Sequence, residues 1–159
     1  MKRWTASTLF LLIALFLGAI PTHTANANDA EIEALLDEIA SLEKKLTRLK
    51  KSVDSKQSDI ETARRNLSYI ADTIANVDMY IASAKAELAA ADNDAERADW
   101  LAVIADLEKY RTEQESEYNS VAYTIQLLEA EIDGLNADIA EVKKEITIAY
   151  ARLFELLND

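Results

Sequence analysis

A heptad repeat of apolar residues constrains this chain more than any other feature. From Ile32 onward, apolar residues recur at alternating spacings of three and four, which are the a and d positions of a coiled coil. The first a series is Ile32, Ile39, Leu46, Val53, Ile60, Leu67, Ile74, Ile81 and Leu88. The first d series is Leu35, Leu42, Leu49, Lys56, Ala63, Ile70, Val77, Ala84 and Ala91. The repeat predicts long α-helix.

The repeat changes phase once, between Leu88 and Arg97. A second a series runs in heptads from Arg97 to Leu153, and its d series runs from Trp100 to Leu156. Leu88 and Arg97 are nine residues apart instead of seven, so the apolar seam would rotate by about 200° on a continuous helix. The break falls at residues 92–94, Asp-Asn-Asp, which favour helix caps, and we expect Asp94 to cap the second helix.

The sequence therefore predicts an all-α fold, a long antiparallel two-helix coiled-coil hairpin. We expect arm one at about 29–91, the turn at about 92–96 and arm two at about 97–158. The core pairs follow a constant sum of residue numbers, from Ile32 with Leu156 to Leu88 with Trp100. The same rule predicts contacts at the flanking e and g positions: opposite charges for Glu38 with Arg152, and like charges for Asp59 with Glu131 and Asp78 with Glu108.

Turn residues are almost absent after residue 27. Of the two glycines and one proline in the chain, only Gly134 remains there. β-Sandwiches, barrels and α/β domains need frequent turns built on such residues, so these folds are excluded.

The first 27 residues resemble a secretory signal peptide. Lys2 and Arg3 precede an apolar stretch of about a dozen residues, and Pro21 ends it. Ala25 and Ala27 supply the small residues at −3 and −1, so we expect cleavage before Asn28. The alternative is an uncleaved membrane anchor, although the apolar stretch is short for a bilayer, which needs about 20 residues.

The chain after residue 27 lacks the residues of common catalytic sites. It has no Cys and no His, so neither a His-based triad nor a Cys nucleophile nor a zinc site is available. Loss of Lys2 and Arg3 changes the formal charge from −12 to −14, which disfavours nucleic acid. We therefore expect a protein that is not an enzyme, with no catalytic residues, no cofactor, no metal and no nucleic-acid partner.

Two groups of residues depart from the coiled-coil pattern. Lys56 interrupts the seam beside Asp54, and Gly134 lies opposite Asp54 in the predicted register, which predicts either a hinge or a tolerated defect. Apolar residues outside the seam predict contacts with a partner or with a second copy in a four-helix bundle. They are Met79, Tyr80, Leu101 and Val103 near the turn, and Leu36, Ile148, Tyr150, Phe154 and Leu157 near the open end.

Segments 31–39 (EIEALLDEI) and 128–139 (LEAEIDGLNADI) resemble the exported coiled-coil region of bacterial murein hydrolase activators. The resemblance extends over nearly all of the chain after the signal peptide. It implies an exported helical hairpin that docks on a membrane complex. We find none of that family's C-terminal regulatory domain in the sequence, which ends at Asp159, so hydrolase activation is not carried over.

These observations lead to two functional hypotheses. The first is an exported envelope protein, in the periplasm of a Gram-negative bacterium or secreted, that acts as a spacer or adaptor and binds another protein or itself. The second is a holdase-like periplasmic chaperone with helical arms. Membrane contact is expected only if the signal peptide is retained.

Overall fold

A computed structural model describes residues 27–158 of the chain, with side chains from residue 28. Two α-helices account for nearly all of this range: α1 (Ala27–Ala90) and α2 (Asp94–Asn158). They pack against each other as a helical hairpin, and no strand occurs within 27–158. The predicted all-α hairpin is confirmed.

The connection between the helices is shorter than predicted. The helix α2 begins at Asp94, three residues before the expected start at 97, and α1 ends at Ala90. The cap is Asn93, whose side-chain oxygen accepts a hydrogen bond of 2.9 Å from the Glu96 N–H. The Glu96 carboxylate in turn accepts a bond of 3.3 Å from the Asp92 N–H. This reciprocal arrangement resembles a capping box and makes Asp94 the first helical residue, not the cap as we expected.

The buried residues lie on the predicted seam. Each buried hydrophobic side chain of the described range occupies an a or d position of the two heptad series, and no polar or charged residue of that range is buried. Ile70 and Val142 are the most completely enclosed, at 1% exposure each. The hydrophobic periodicity of the sequence therefore determines the interior of the hairpin.

The hairpin divides into two compact units. Within the described residues, unit one comprises 27–43 and 144–158, and unit two comprises Lys44–Lys143. In unit one, a buried cluster forms from both helices: Leu35, Ile39, Ala149 and Leu153, with Ile32, Leu36, Tyr150 and Leu156 packed against it. This composition agrees with the predicted register, which pairs Leu35 with Leu153 and Ile39 with Ala149.

Ion pairs in unit two differ from the predicted e and g contacts. The helices are joined by Arg64 with Glu129 (2.8 Å), Lys85 with Glu108 (3.1 Å), Arg111 with Asp78 (2.6 Å), and Lys56 with Glu131. Asp78, Glu108 and Glu131 each pair with a different cation. These pairs offset the like-charge repulsion that the register rule predicted for Asp78 with Glu108 and for Asp59 with Glu131. Long side chains reach across to a neighbouring heptad, which a fixed pairing rule does not anticipate.

The same effect appears in unit one. The Arg152 guanidinium lies 3.4 Å from the Glu31 carboxylate, whereas the register rule paired Arg152 with Glu38. Both side chains of the observed pair are more than two-fifths exposed, so the contact contributes about 1 kcal/mol or less.

The predicted hinge residues lie within continuous helix. The Lys56 ammonium pairs with Glu131, and the Lys56 side chain is half-buried. Gly134 is exposed in α2, has no positive φ, and an added Cβ would meet no atom within 4 Å. Hinge motion at Asp54, Lys56 and Gly134 stays a prediction.

Residues 1–26 of the predicted signal peptide, including Ala25, lie outside the described residues, and α1 begins at Ala27, the last residue before the predicted cleavage site. None of the described helices is both long and apolar enough to span a bilayer.

Candidate protein-interaction surfaces

Near the turn, unit two exposes all four apolar residues that we predicted as partner contacts. Met79 and Tyr80 are 70% and 64% exposed on α1, and Leu101 and Val103 are exposed on α2. They lie outside the a and d seam, so packing between the two helices leaves them uncovered.

In unit one, three of the five predicted contact residues are exposed and two are not. Ile148, Phe154 and Leu157 keep more than half of their surface in solvent. Leu36 and Tyr150 are half-buried against the core cluster of unit one, which corrects the expectation that the hairpin would leave them uncovered.

Tyr150 has a polar contact that explains its inward position. Its O–H donates a hydrogen bond of 3.2 Å to the Glu43 carboxylate. Burial, and next the Glu43 charge, raise the pKa of the Tyr150 phenol above its usual range, because both disfavour the phenolate. Tyr150 is therefore a contact within the hairpin.

The structure adds exposed apolar residues that the sequence reasoning missed. Tyr69, Tyr123 and Leu127 are exposed in the middle of unit two. The predicted contact residues lie only near the two ends of the arms, so these three were not among them. Their c and f heptad positions nevertheless indicated exposure.

The two sides of the seam in unit two have different chemistry. The e positions on one side carry the ion pairs Arg64 with Glu129 and Lys85 with Glu108. On the same side, Arg111 bonds Asp78 at 2.6 Å and Glu115 at 2.8 Å, and these carboxylates raise the pKa of its guanidinium. We call this the ion-paired side. The polar residue Arg111, which occupies an a layer, is thus held by two carboxylates.

The other side consists of the c and g positions, and we call its part at residues 59–83 and 103–127 the tyrosine face. On α1 it comprises Asp59, Thr62, Asn66, Tyr69, Thr73, Asn76, Tyr80 and Ser83. On α2 it comprises Val103, Asp106, Tyr110, Glu113, Glu117, Ser120, Thr124 and Leu127. None of these residues is basic, and Asp59 is the one charged residue of the α1 row.

Two open grooves lie on the tyrosine face. One is lined by Asp59, Thr62, Ala63, Asn66, Val121, Thr124 and Leu128. The other is lined by Tyr80, Ser83, Ala84, Trp100, Val103 and Leu107. Each lining combines face residues with apolar seam residues, so the seam is accessible from this side at two places.

Within the described residues, no group of three or more His, Cys, Asp or Glu side chains is placed to hold a metal ion.

The described part of the chain thus defines an all-α helical hairpin with accessible apolar surfaces. Comparison with known protein families, with curated proteins and with solved structures gave no match.

Proposed function

We propose that this protein is a non-enzymatic, exported component of the bacterial cell envelope that acts as a coiled-coil spacer or adaptor and binds another protein. Export rests on the predicted signal peptide, and the periplasm is the compartment that we favour over secretion into the medium. The observation that carries the proposal is the set of exposed large apolar side chains outside the seam, above all Met79, Tyr80, Phe154 and Leu157.

Exposed apolar side chains of this size favour a contact that covers them. Moving a Phe or Leu side chain out of water stabilises a complex by about 1.5–3 kcal/mol. The a and d seam already buries the apolar residues that the two helices share, so further burial of Phe154 or Tyr80 needs a second molecule. That molecule is either another protein or a second copy of this chain.

The chaperone alternative is less well supported. A chaperone with grasping arms needs apolar surface on the inner faces of its arms, and here those faces are occupied by the packed seam. An assay of client aggregation separates the two functions, since the adaptor hypothesis predicts no suppression at equimolar protein.

Photocrosslinking in living cells tests the adaptor function. A photoreactive amino acid replaces Tyr80 or Phe154 in the full chain, and Asp72, an exposed charged position, serves as the control. We expect discrete crosslinked species from Tyr80 and Phe154 and none from Asp72. Equal crosslinking at all three positions, or none at any, would contradict an adaptor that uses these surfaces.

Export is tested separately by the mass of the mature protein. We expect a chain that begins at Asn28, recovered from the periplasmic fraction. Ala27→Asp places a charge at the −1 position and is expected to block processing, which controls for adventitious proteolysis. An intact N-terminus in the unaltered protein would refute cleavage.

A further inference from the structure

The tyrosine face of unit two leaves part of the seam uncovered, and its role as a binding surface rests on the proposed adaptor function. Long charged side chains at e and g usually cover the seam of a coiled coil. On the ion-paired side, Arg64, Lys85 and Arg111 serve this role. On the tyrosine face the corresponding g positions hold short side chains such as Asn66 and Thr124, so seam residues line an open groove.

Three tyrosines give the tyrosine face a large apolar area with polar edges. Tyr69 and Tyr80 are 71% and 64% exposed, and Tyr110 is 44% exposed. Tyrosine is enriched at protein interfaces because its ring buries apolar surface while its hydroxyl stays in contact with water or a polar group.

The charge on this face is of one sign and is unpaired. Asp106, Glu113 and Glu117 lie along α2 at c and g positions, and within residues 28–158 none of the ion pairs includes them. The neighbouring α1 row carries a single charge, that of the acidic Asp59, so no cation of the tyrosine face itself lies near them.

We propose that the tyrosine face binds a basic amphipathic α-helix of a partner protein. Apolar residues of that helix at spacings of three and four enter the two grooves and pack on Tyr69 and Tyr80, as in helix-in-groove recognition. Its Lys or Arg residues lie along α2, opposite Glu113 and Glu117. The grooves are centred near Ala63 and Ser83 on α1, so a helix that reaches both spans about 30 Å, which corresponds to between five and six turns.

Charge complementarity favours a different protein over a second copy of this chain. In a two-fold dimer the same surface would meet itself. Each copy would then present Asp106, Glu113 and Glu117 without a single cation on the tyrosine face to oppose them. Two copies that carry a net charge of −12 or more negative also repel each other at low ionic strength.

The test uses two synthetic helical peptides of about 21 residues and the full chain. One peptide has Leu at seam positions and Lys at the flanking positions, and the other has Glu in place of each Lys. Fluorescence anisotropy gives the Kd of each. We expect the Lys peptide to bind and the Glu peptide not to bind. Glu113→Gln with Glu117→Gln should weaken binding at least tenfold, and Tyr69→Ala at least fivefold.

A matched control distinguishes a specific face from general attraction to an acidic protein. Glu61→Gln with Asp72→Asn removes the same charge from exposed b and f positions, and we expect less than a twofold change. Circular dichroism confirms that each variant stays helical. Equal weakening by both double variants, or no binding of the Lys peptide, overturns the proposal.

Analytical ultracentrifugation of the protein without peptide tests whether a second copy of this chain covers the tyrosine face. Self-association that disappears in Tyr69→Lys would assign the tyrosine face to a second copy and would overturn the assignment to a partner. Failure of the peptide test together with intact crosslinking from Phe154 refutes this inference alone and leaves the adaptor function standing.

Discussion

Substitution of Gly134 by Ala tests whether α2 is ordinary helix where the sequence predicts a hinge. The position is exposed, an added Cβ meets no atom within 4 Å, and no positive φ has to be preserved. Neither packing nor backbone strain therefore opposes the change. Only the difference in helix propensity between Gly and Ala is left to act.

The expected magnitude follows from that difference. In a helix interior, Gly is less favourable than Ala by about 0.8–1.0 kcal/mol. We expect Gly134→Ala to raise the free energy of unfolding by about 1 kcal/mol, which for a chain of this length raises Tm by about 4 °C. The m-value should not change, because the buried surface is the same.

Urea unfolding followed by circular dichroism at 222 nm measures the effect. Ala137→Gly, an exposed position one turn further along α2, is the matched control and should lower stability by about the same amount. If Ala137→Gly destabilises and Gly134→Ala is neutral or destabilising, the helix at Gly134 is not regular and our reasoning is wrong. A stabilised Gly134→Ala variant that captures fewer crosslinked species in cells would support a hinge with a functional role.

Three further substitutions test the core, a tyrosine and the cap. Ile70→Ala should destabilise the hairpin by about 3 kcal/mol in urea unfolding, because the side chain is 1% exposed and its loss leaves a cavity. The control Tyr69→Ala, at the exposed neighbouring position, should destabilise it by less than about 0.5 kcal/mol, and similar values for both variants would refute the predicted seam. The pKa of Tyr150 is raised in the folded protein, so its contribution to the free energy of unfolding is fully present below the unfolded pKa of about 10 and is lost as the pH rises through the folded pKa. Between about pH 8 and 11 the urea midpoint of Tyr150→Phe should therefore fall less than that of the unaltered protein, and parallel pH profiles would contradict the assigned pKa shift. Asn93→Ala should lower stability by about 1 kcal/mol and Asn93→Asp should preserve it, since the aspartate carboxylate also accepts the Glu96 N–H; an equal loss in both variants would exclude a capping role.

The interior of the hairpin was predictable because it depends on periodicity alone. A helix buries one stripe, and residues such as Ile70 and Val142 fall on that stripe whatever their distant neighbours are. The phase change between Leu88 and Arg97 placed the turn correctly to within a few residues, since a seam that changes sides cannot remain on one helix.

The flanking contacts were not predictable in the same way. Lys85 pairs with Glu108 through a long, flexible side chain, and that pairing depends on rotamers that no heptad rule contains. The cap moved from Asp94 to Asn93 because either side chain suits that role chemically, and the geometry of a three-residue connection decides between them. The tyrosine face was missed because it becomes visible only when c and g positions of both helices are considered together.

The hairpin connectivity also bears on the order in which the chain folds. Lys85 and Glu108, close to the turn, are separated by 23 residues in the sequence, whereas Glu31 and Arg152 are separated by 121. Loop-closure entropy rises with the logarithm of that separation, so contacts beside the turn form at the lowest entropic cost. Folding is then expected to start at the Asn93 cap and to proceed outward, with φ-values near 1 at Ala84 and near 0 at Leu35. Since α1 precedes the turn, a chain that emerges N-terminus first has to keep the apolar stripe of α1 uncovered until Asn93 and the first turns of α2 have followed it.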